Sequence, residues 1–103
     1  MRPRYYVLDE NDEPRPAMLL EWGAFMADAS RRRLARTACD GDVLVSTVFL
    51  GLDHSHREDD PPVLWETMVF GGLFDQQQRR YRSREEALRG HEEMVARVRA
   101  GRN

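Results

Sequence analysis

Lysine is absent from this chain, and cysteine occurs once, as Cys39. A single thiol excludes an internal disulfide, and a free cysteine fits a reducing compartment. No apolar run reaches the length of a signal peptide core or a membrane span, so cytoplasmic residence and no membrane partner are expected. Charge of one sign is also missing: 16 basic against 18 acidic residues leave a formal -2. That balance excludes a global attraction to nucleic acid or to an anionic membrane and leaves only local patches for such contacts. The absence of lysine, with every basic residue an arginine, is read as a coding bias toward high GC rather than as selection for phosphate contacts. No glycine-rich phosphate loop occurs, because Gly71-Gly72 has neither the lysine nor the strand-to-helix setting of one. Internal repeats and low-complexity tracts are lacking.

What is present is globular: 41% hydrophobic and 33% charged residues over 103 positions. That length supports one core, so residues 1–103 are read as a single domain. Tyr5 to Leu8 predicts a first strand, and Asp9 to Pro16 a solvated loop dense in turn formers. Met18, Leu19, Trp22, Phe25, Met26 and Ala29 recur at helical spacing, with Pro16 suited to the first turn and Arg31 to Arg33 to the negative end of the helix. Gly23 is a costly residue inside that helix. Leu34 to Cys39 predicts a strand, Asp40-Gly41 a two-residue turn of a hairpin joining 34–39 to 42–50, and Val43 to Leu50 the body of its second strand. That run is rich in β-branched residues and predicts a central strand.

Gly51 to Pro62 is a polar loop, and Val63 to Phe70 predicts a second long strand antiparallel to the first. Gln76 to Tyr81 predicts a short edge strand carrying Tyr81 inward. Ser83 with Glu86 is a capping box, and the helix after it aligns Ala87, Leu88, His91, Met94, Val95 and Val98 on one stripe. Gly101 to Asn103 is expected to fray. The fold class expected is α+β: an antiparallel sheet of four or five strands with two helices packed on one face.

Three groups of residues could carry chemistry. In Asp53-His-Ser-His-Arg-Glu-Asp-Asp60, the two histidines, His54 and His56, have the spacing of zinc ligands, and His91 could complete a site only if the last helix crosses this loop. Glu66 lies in an apolar strand, on the face expected to hold Leu64, Met68 and Phe70. Burial there requires a partner such as Arg36 or His91. Arg79, Arg80, Arg82 and Arg84 flank Tyr81 and could meet phosphate or an acidic protein surface, although Glu85 and Glu86 weaken a nucleic-acid site. Ser46, Thr47, Thr67 and Cys39 sit in no nucleophile elbow and beside no spaced base, so no catalytic residue is assigned. The bland alternatives are a solvated loop, a register-fixing ion pair and a satisfied core histidine.

Val45-Ser-Thr-Val-Phe-Leu-Gly-Leu-Asp-His54, Pro62-Val-Leu-Trp-Glu-Thr-Met-Val-Phe-Gly-Gly72 and the stretch from Tyr81 through Ser83, Glu86-Ala87 and Gly90-His91 resemble a family of small bacteriophage and prophage proteins of high-GC bacteria. The match spans about residues 34 to 95, and the family carries no established activity. The resemblance implies an accessory protein in a bacterial cytoplasm that modulates host or defence machinery by protein contact. Asp53, His54, Glu66, Gly90 and His91 fall on the family pattern, whereas His56 does not. Binding to a host or phage protein, through the loop 51–62 or through Arg79, Arg80, Tyr81 and Arg82, is therefore the leading expectation. A second copy of the chain could also be the partner; nucleic acid is disfavoured, and no cofactor or metal is expected. The alternative is a small metal-binding or hydrolytic domain built on Asp53, His54, Glu66 and His91.

Overall fold

A computed structural model describes residues 2–101. The chain runs β1 (Tyr6–Leu8), β2 (Pro14–Pro16), α1 (Leu19–Met26), α2 (Ala29–Arg32), β3 (Arg33–Cys39), β4 (Val43–Phe49), β5 (Trp65–Phe70), β6 (Gln78–Tyr81) and α3 (Arg84–Ala100). The last four strands form an antiparallel meander in chain order, β1 and β2 form a separate ribbon, and helices pack against the main sheet. The fold is α+β, as expected. Among the described residues no helix is long and apolar enough to cross a membrane.

Four local readings need correction. Asp9 to Pro16 is not merely a loop, because it turns back as β2 on β1. Asp9 Oδ1 accepts from the N–H groups of Asn11 and Glu13, which closes the turn. Glu13 O accepts from Asp9 N–H and Ala17 N–H donates to Tyr5 O, so Pro14 and Pro16 occupy the alternate positions, where no ladder donor is needed. Pro16 thus ends a strand instead of starting a helix. The expected first helix breaks at Ala27-Asp28: the Asp28 carboxylate accepts from the backbone N–H and the hydroxyl of Ser30 and caps a new turn. The β3–β4 connection has three residues, Asp40, Gly41 and Asp42, with positive φ at the last two, instead of two. The expected fraying of Gly101–Asn103 falls partly on Arg102 and Asn103, outside the described residues.

Burial alternates residue by residue along β4 and β5. Val43, Val45, Thr47 and Phe49 face α3 together with Trp65, Thr67 and Val69, whereas Leu44, Ser46, Val48, Glu66 and Met68 lie on the more open face. Ser83 Oγ accepts from Glu86 N–H and donates to Glu86 Oε1, so α3 starts where the capping pair predicts. Its buried stripe is Ala87, Gly90, His91, Met94, Val95 and Val98. Leu88, expected on that stripe, is only half-buried. Helix α1 meets the same layer through Phe25, which packs edge-on against Phe49 at 6.0 Å between centroids.

The core has two apolar halves. One gathers Cys39, Val43, Val45, Val69, Met94, Val95 and Val98, and the other Tyr6, Phe49, Leu64, Trp65, Tyr81 and Ala87. Thr47, Thr67 and His91 lie between them on each element in turn: 45-47-49, 69-67-65 and 94-91-87.

Candidate functional site

The polar belt between the two core halves is continuous. His91 Nε2 lies 2.8 Å from Thr37 Oγ1, and Nδ1 lies 2.8 Å from Thr47 Oγ1. Thr47 and Thr67 are direct cross-strand partners, and their hydroxyls meet at 2.5 Å. The Tyr81 hydroxyl donates to Thr67 Oγ1 at 3.1 Å. Each main-sheet strand contributes one hydroxyl, and α3 contributes the ring. One consistent polarity runs from Tyr81 through Thr67 and Thr47 to Nδ1, leaving the proton on Nε2 for Thr37, so a neutral imidazole satisfies every neighbour. Thr47 and Thr67 are 0% exposed and His91 1%. Burial therefore holds the His91 imidazole below its ordinary value, with Glu92 a weaker opposing influence. His91 is a satisfied core histidine.

Glu66 is on the opposite face of β5 from Thr67. Its partner is neither Arg36 nor His91 but Arg80, directly across in β6, whose Nε donates to Glu66 Oε2 at 2.9 Å. Leu64 does not share its face, being buried against Phe49 and Trp65. His54 lies within electrostatic reach of Arg80, Glu66, Asp53 and Arg4. Burial first, then Arg80, lowers its imidazole below the ordinary value against the pull of Glu66 and Asp53. Asp53, His54 and Glu66 thus occupy one neighbourhood, and the sheet separates them from His91. Among the described residues no group of three or more His, Cys, Asp or Glu side chains could hold a metal ion. His56 is exposed in the loop.

Asp53 has a structural task that its sequence context did not reveal. Its Oδ1 accepts from Ser55 N–H at 2.8 Å and from Val63 N–H at 3.0 Å, and its Oδ2 pairs with Arg2 at 3.0 Å. Arg2 also donates to the carbonyls of Arg57 and Glu58. The loop 51–62 is therefore clamped at both ends rather than loose. Burial opposes the charge on Asp53, but the two backbone donors and Arg2 outweigh it and hold the carboxyl below its ordinary 3.8. Asp53→Ala should cost about 2 kcal/mol, since two part-buried N–H groups lose their acceptor and Arg2 its counter-charge. This contribution is present above about pH 3.8 and lost as pH falls through the lower folded value. Urea unfolding of Asp53→Ala beside Asp53→Asn, which keeps one acceptor oxygen, measures it; equal stability of wild type and Asp53→Ala would refute the clamp.

Three of the four arginines around Tyr81 are also engaged, Arg80 with Glu66 as above. Arg79 pairs with Glu93 at 3.0 Å and stacks over the Tyr81 ring, and Arg82 pairs with Asp60 and donates to Pro61 O. Tyr81 itself is buried, as its inward reading anticipates, and presents no surface to a partner.

Two other surfaces were invisible to motif reading. At the start of α1, Met18, Leu19 and Leu20 are 81%, 58% and 89% exposed. No residue of α1 is buried although LLEWGAFM is almost wholly apolar. An apolar hollow lined by Pro3, Tyr5, Pro16 and Ala17 adjoins Met18. Trp22 anchors the helix by donating from its indole to Gly51 O at 3.0 Å and tilting against Tyr5. The second surface is a small hollow bordered by arginines between the α2–β3 junction and the start of α3. Comparison of the chain with protein-family models, with curated proteins and with solved structures gives no match.

Proposed function

We propose that this protein is a non-enzymatic binding module whose partner is another protein, docked on the exposed apolar start of α1. The single observation that carries this is the start of α1, where Met18, Leu19 and Leu20 are turned to solvent while Trp22 and Phe25 hold the helix to the domain. Water contact over such a contiguous patch is unfavourable, and its coverage by a partner would recover that free energy. The resemblance to phage and prophage accessory proteins supports the same class and suggests a host or defence protein in a bacterial cytoplasm as the partner. The hydrolytic alternative requires Asp53, His54, Glu66 and His91 to converge, and the sheet stands between His91 and the other three.

Leu20→Glu is expected to leave the melting temperature within a few degrees of wild type, because Leu20 is the most exposed side chain of the patch. Crosslinking in bacteria producing each form, followed by purification of the conjugates, tests the reading. A defined protein joined to wild type and missing from Leu20→Glu supports it. Identical conjugates for both forms, or none, would remove α1 as the docking site.

A further inference from the structure

The arginine-bordered hollow is independent of the α1 surface. Arg31, Arg32 and Arg33 leave the α2–β3 junction on one side, Arg84 opens α3 on the other, and Trp65 and Phe49 form its floor. One carboxylate, Asp12, also borders it. Among the described residues Arg32, Arg33 and Arg84 form no ion pair. Arg31 is held by the carbonyls of Leu8 and Asp9 and by the Phe25 ring. Arg32 Nε is shut off from solvent and has no hydrogen-bond partner. A buried guanidinium N–H left unpaired is costly, and such a group calls for an acceptor.

From this arrangement we infer that the hollow binds the phosphoryl group of a phosphate monoester. Its volume of about 90 Å³ suits a small headgroup rather than a whole ligand. Four guanidinium groups against one carboxylate leave an excess that suits a dianion better than a monocarboxylate. Their forked donors match the three terminal oxygens of a phosphoryl group. Trp65 in the floor gives the site a fluorescent reporter.

The test is a titration of the full chain with inorganic phosphate at constant ionic strength, followed by amide NMR shifts and tryptophan fluorescence. A phosphoserine-containing peptide and a small sugar phosphate are run in parallel. Saturable shifts centred on Arg31 to Leu34 and Arg84 are expected, with binding weakened about tenfold or more in Arg32→Gln and Arg84→Gln. Arg89→Gln, an exposed substitution elsewhere on α3, should bind like wild type. Tighter binding of the peptide would place the phosphoryl group on a protein, and tighter binding of the sugar phosphate would place it on a metabolite. Non-saturable shifts, acetate binding as well as phosphate, or indifference to both hollow substitutions would overturn the assignment. Since Arg84 is exposed in the first turn of α3, Arg84→Gln keeps the test valid if Arg32→Gln fails to fold.

Discussion

Replacing His91 with alanine is expected to lower the unfolding free energy by about 4 kcal/mol. The loss has two parts. A fully buried ring is removed from between the two halves of the core, leaving a cavity, and the hydroxyls of Thr37 and Thr47 lose the partners they reach at 2.8 Å. Thr47 keeps Thr67 as a partner but remains buried with an unmet bond, and Thr37 is only half-buried, so the cavity is the larger part of the loss. Urea unfolding of wild type and His91→Ala gives the number directly, and a difference below about 1 kcal/mol would mean that the belt contributes little.

The same residue predicts a pH dependence. The folded imidazole is held below the ordinary value of 6.5 by burial, so the unfolded chain binds more protons than the folded one below that pH. Stability from this group is thus complete above about pH 6.5 and declines as pH falls toward the lower folded value. His54, also lowered, contributes in the same direction. The His91 share is therefore read as the difference between wild type and His91→Gln, whose side chain does not titrate. Parallel stability curves for the two between pH 5 and 7 would refute a neutral buried imidazole.

Gly90→Ala is expected to destabilise the protein by about 2 kcal/mol, although alanine is the better helix former by about 1 kcal/mol. Gly90 faces Tyr81 so closely that a Cβ would stand 2.2 Å from the hydroxyl oxygen and 2.3 Å from two ring carbons. Those are the near edge of a buried aromatic ring, not the free end of a flexible chain, and Tyr81 is also tied to Thr67 by its hydroxyl. To make room the ring must leave the belt or α3 must lift from the sheet. Gly23 in α1 provides the control, because a Cβ there would meet nothing within 4 Å. Gly23→Ala should stabilise by up to about 1 kcal/mol. Thermal unfolding of both variants should move in opposite directions, and a common upward shift would show that Tyr81 yields without cost.

The two glycines also show how far sequence reading reaches. Both interrupt apolar helical stripes, and nothing in the neighbouring residues distinguishes the one in open solvent from the one against a ring nine positions earlier in the chain. By contrast, the start of α3 was legible from Ser83 and Glu86, and its buried face from the spacing of Ala87, His91, Met94, Val95 and Val98. The strands β4 and β5 were legible from their β-branched composition, and their antiparallel pairing followed from the order of elements. These signals are local: a cap, a 3.6-residue period or a strand run is written in residues a few positions apart.

The sequence by itself therefore determined the fold class, the strand runs, the place of α3 and the inward direction of Tyr81 and His91, whereas the order of the strands in the sheet came only from the structure. Tertiary structure alone decided what those residues meet. Thr37 and His91 are 54 positions apart, and they bond only because α3 packs on the sheet across β3. Glu66 sits in an apolar run and His91 on an apolar helical stripe, yet strand alternation sends Glu66 to Arg80 on the other face. The arginine hollow draws on the α2–β3 junction, the floor of the sheet and the first turn of α3. Such contacts depend on register and layer, which backbone pairing across the whole sheet sets. A single strand slipped by one residue would exchange its two faces and leave every local pattern unchanged.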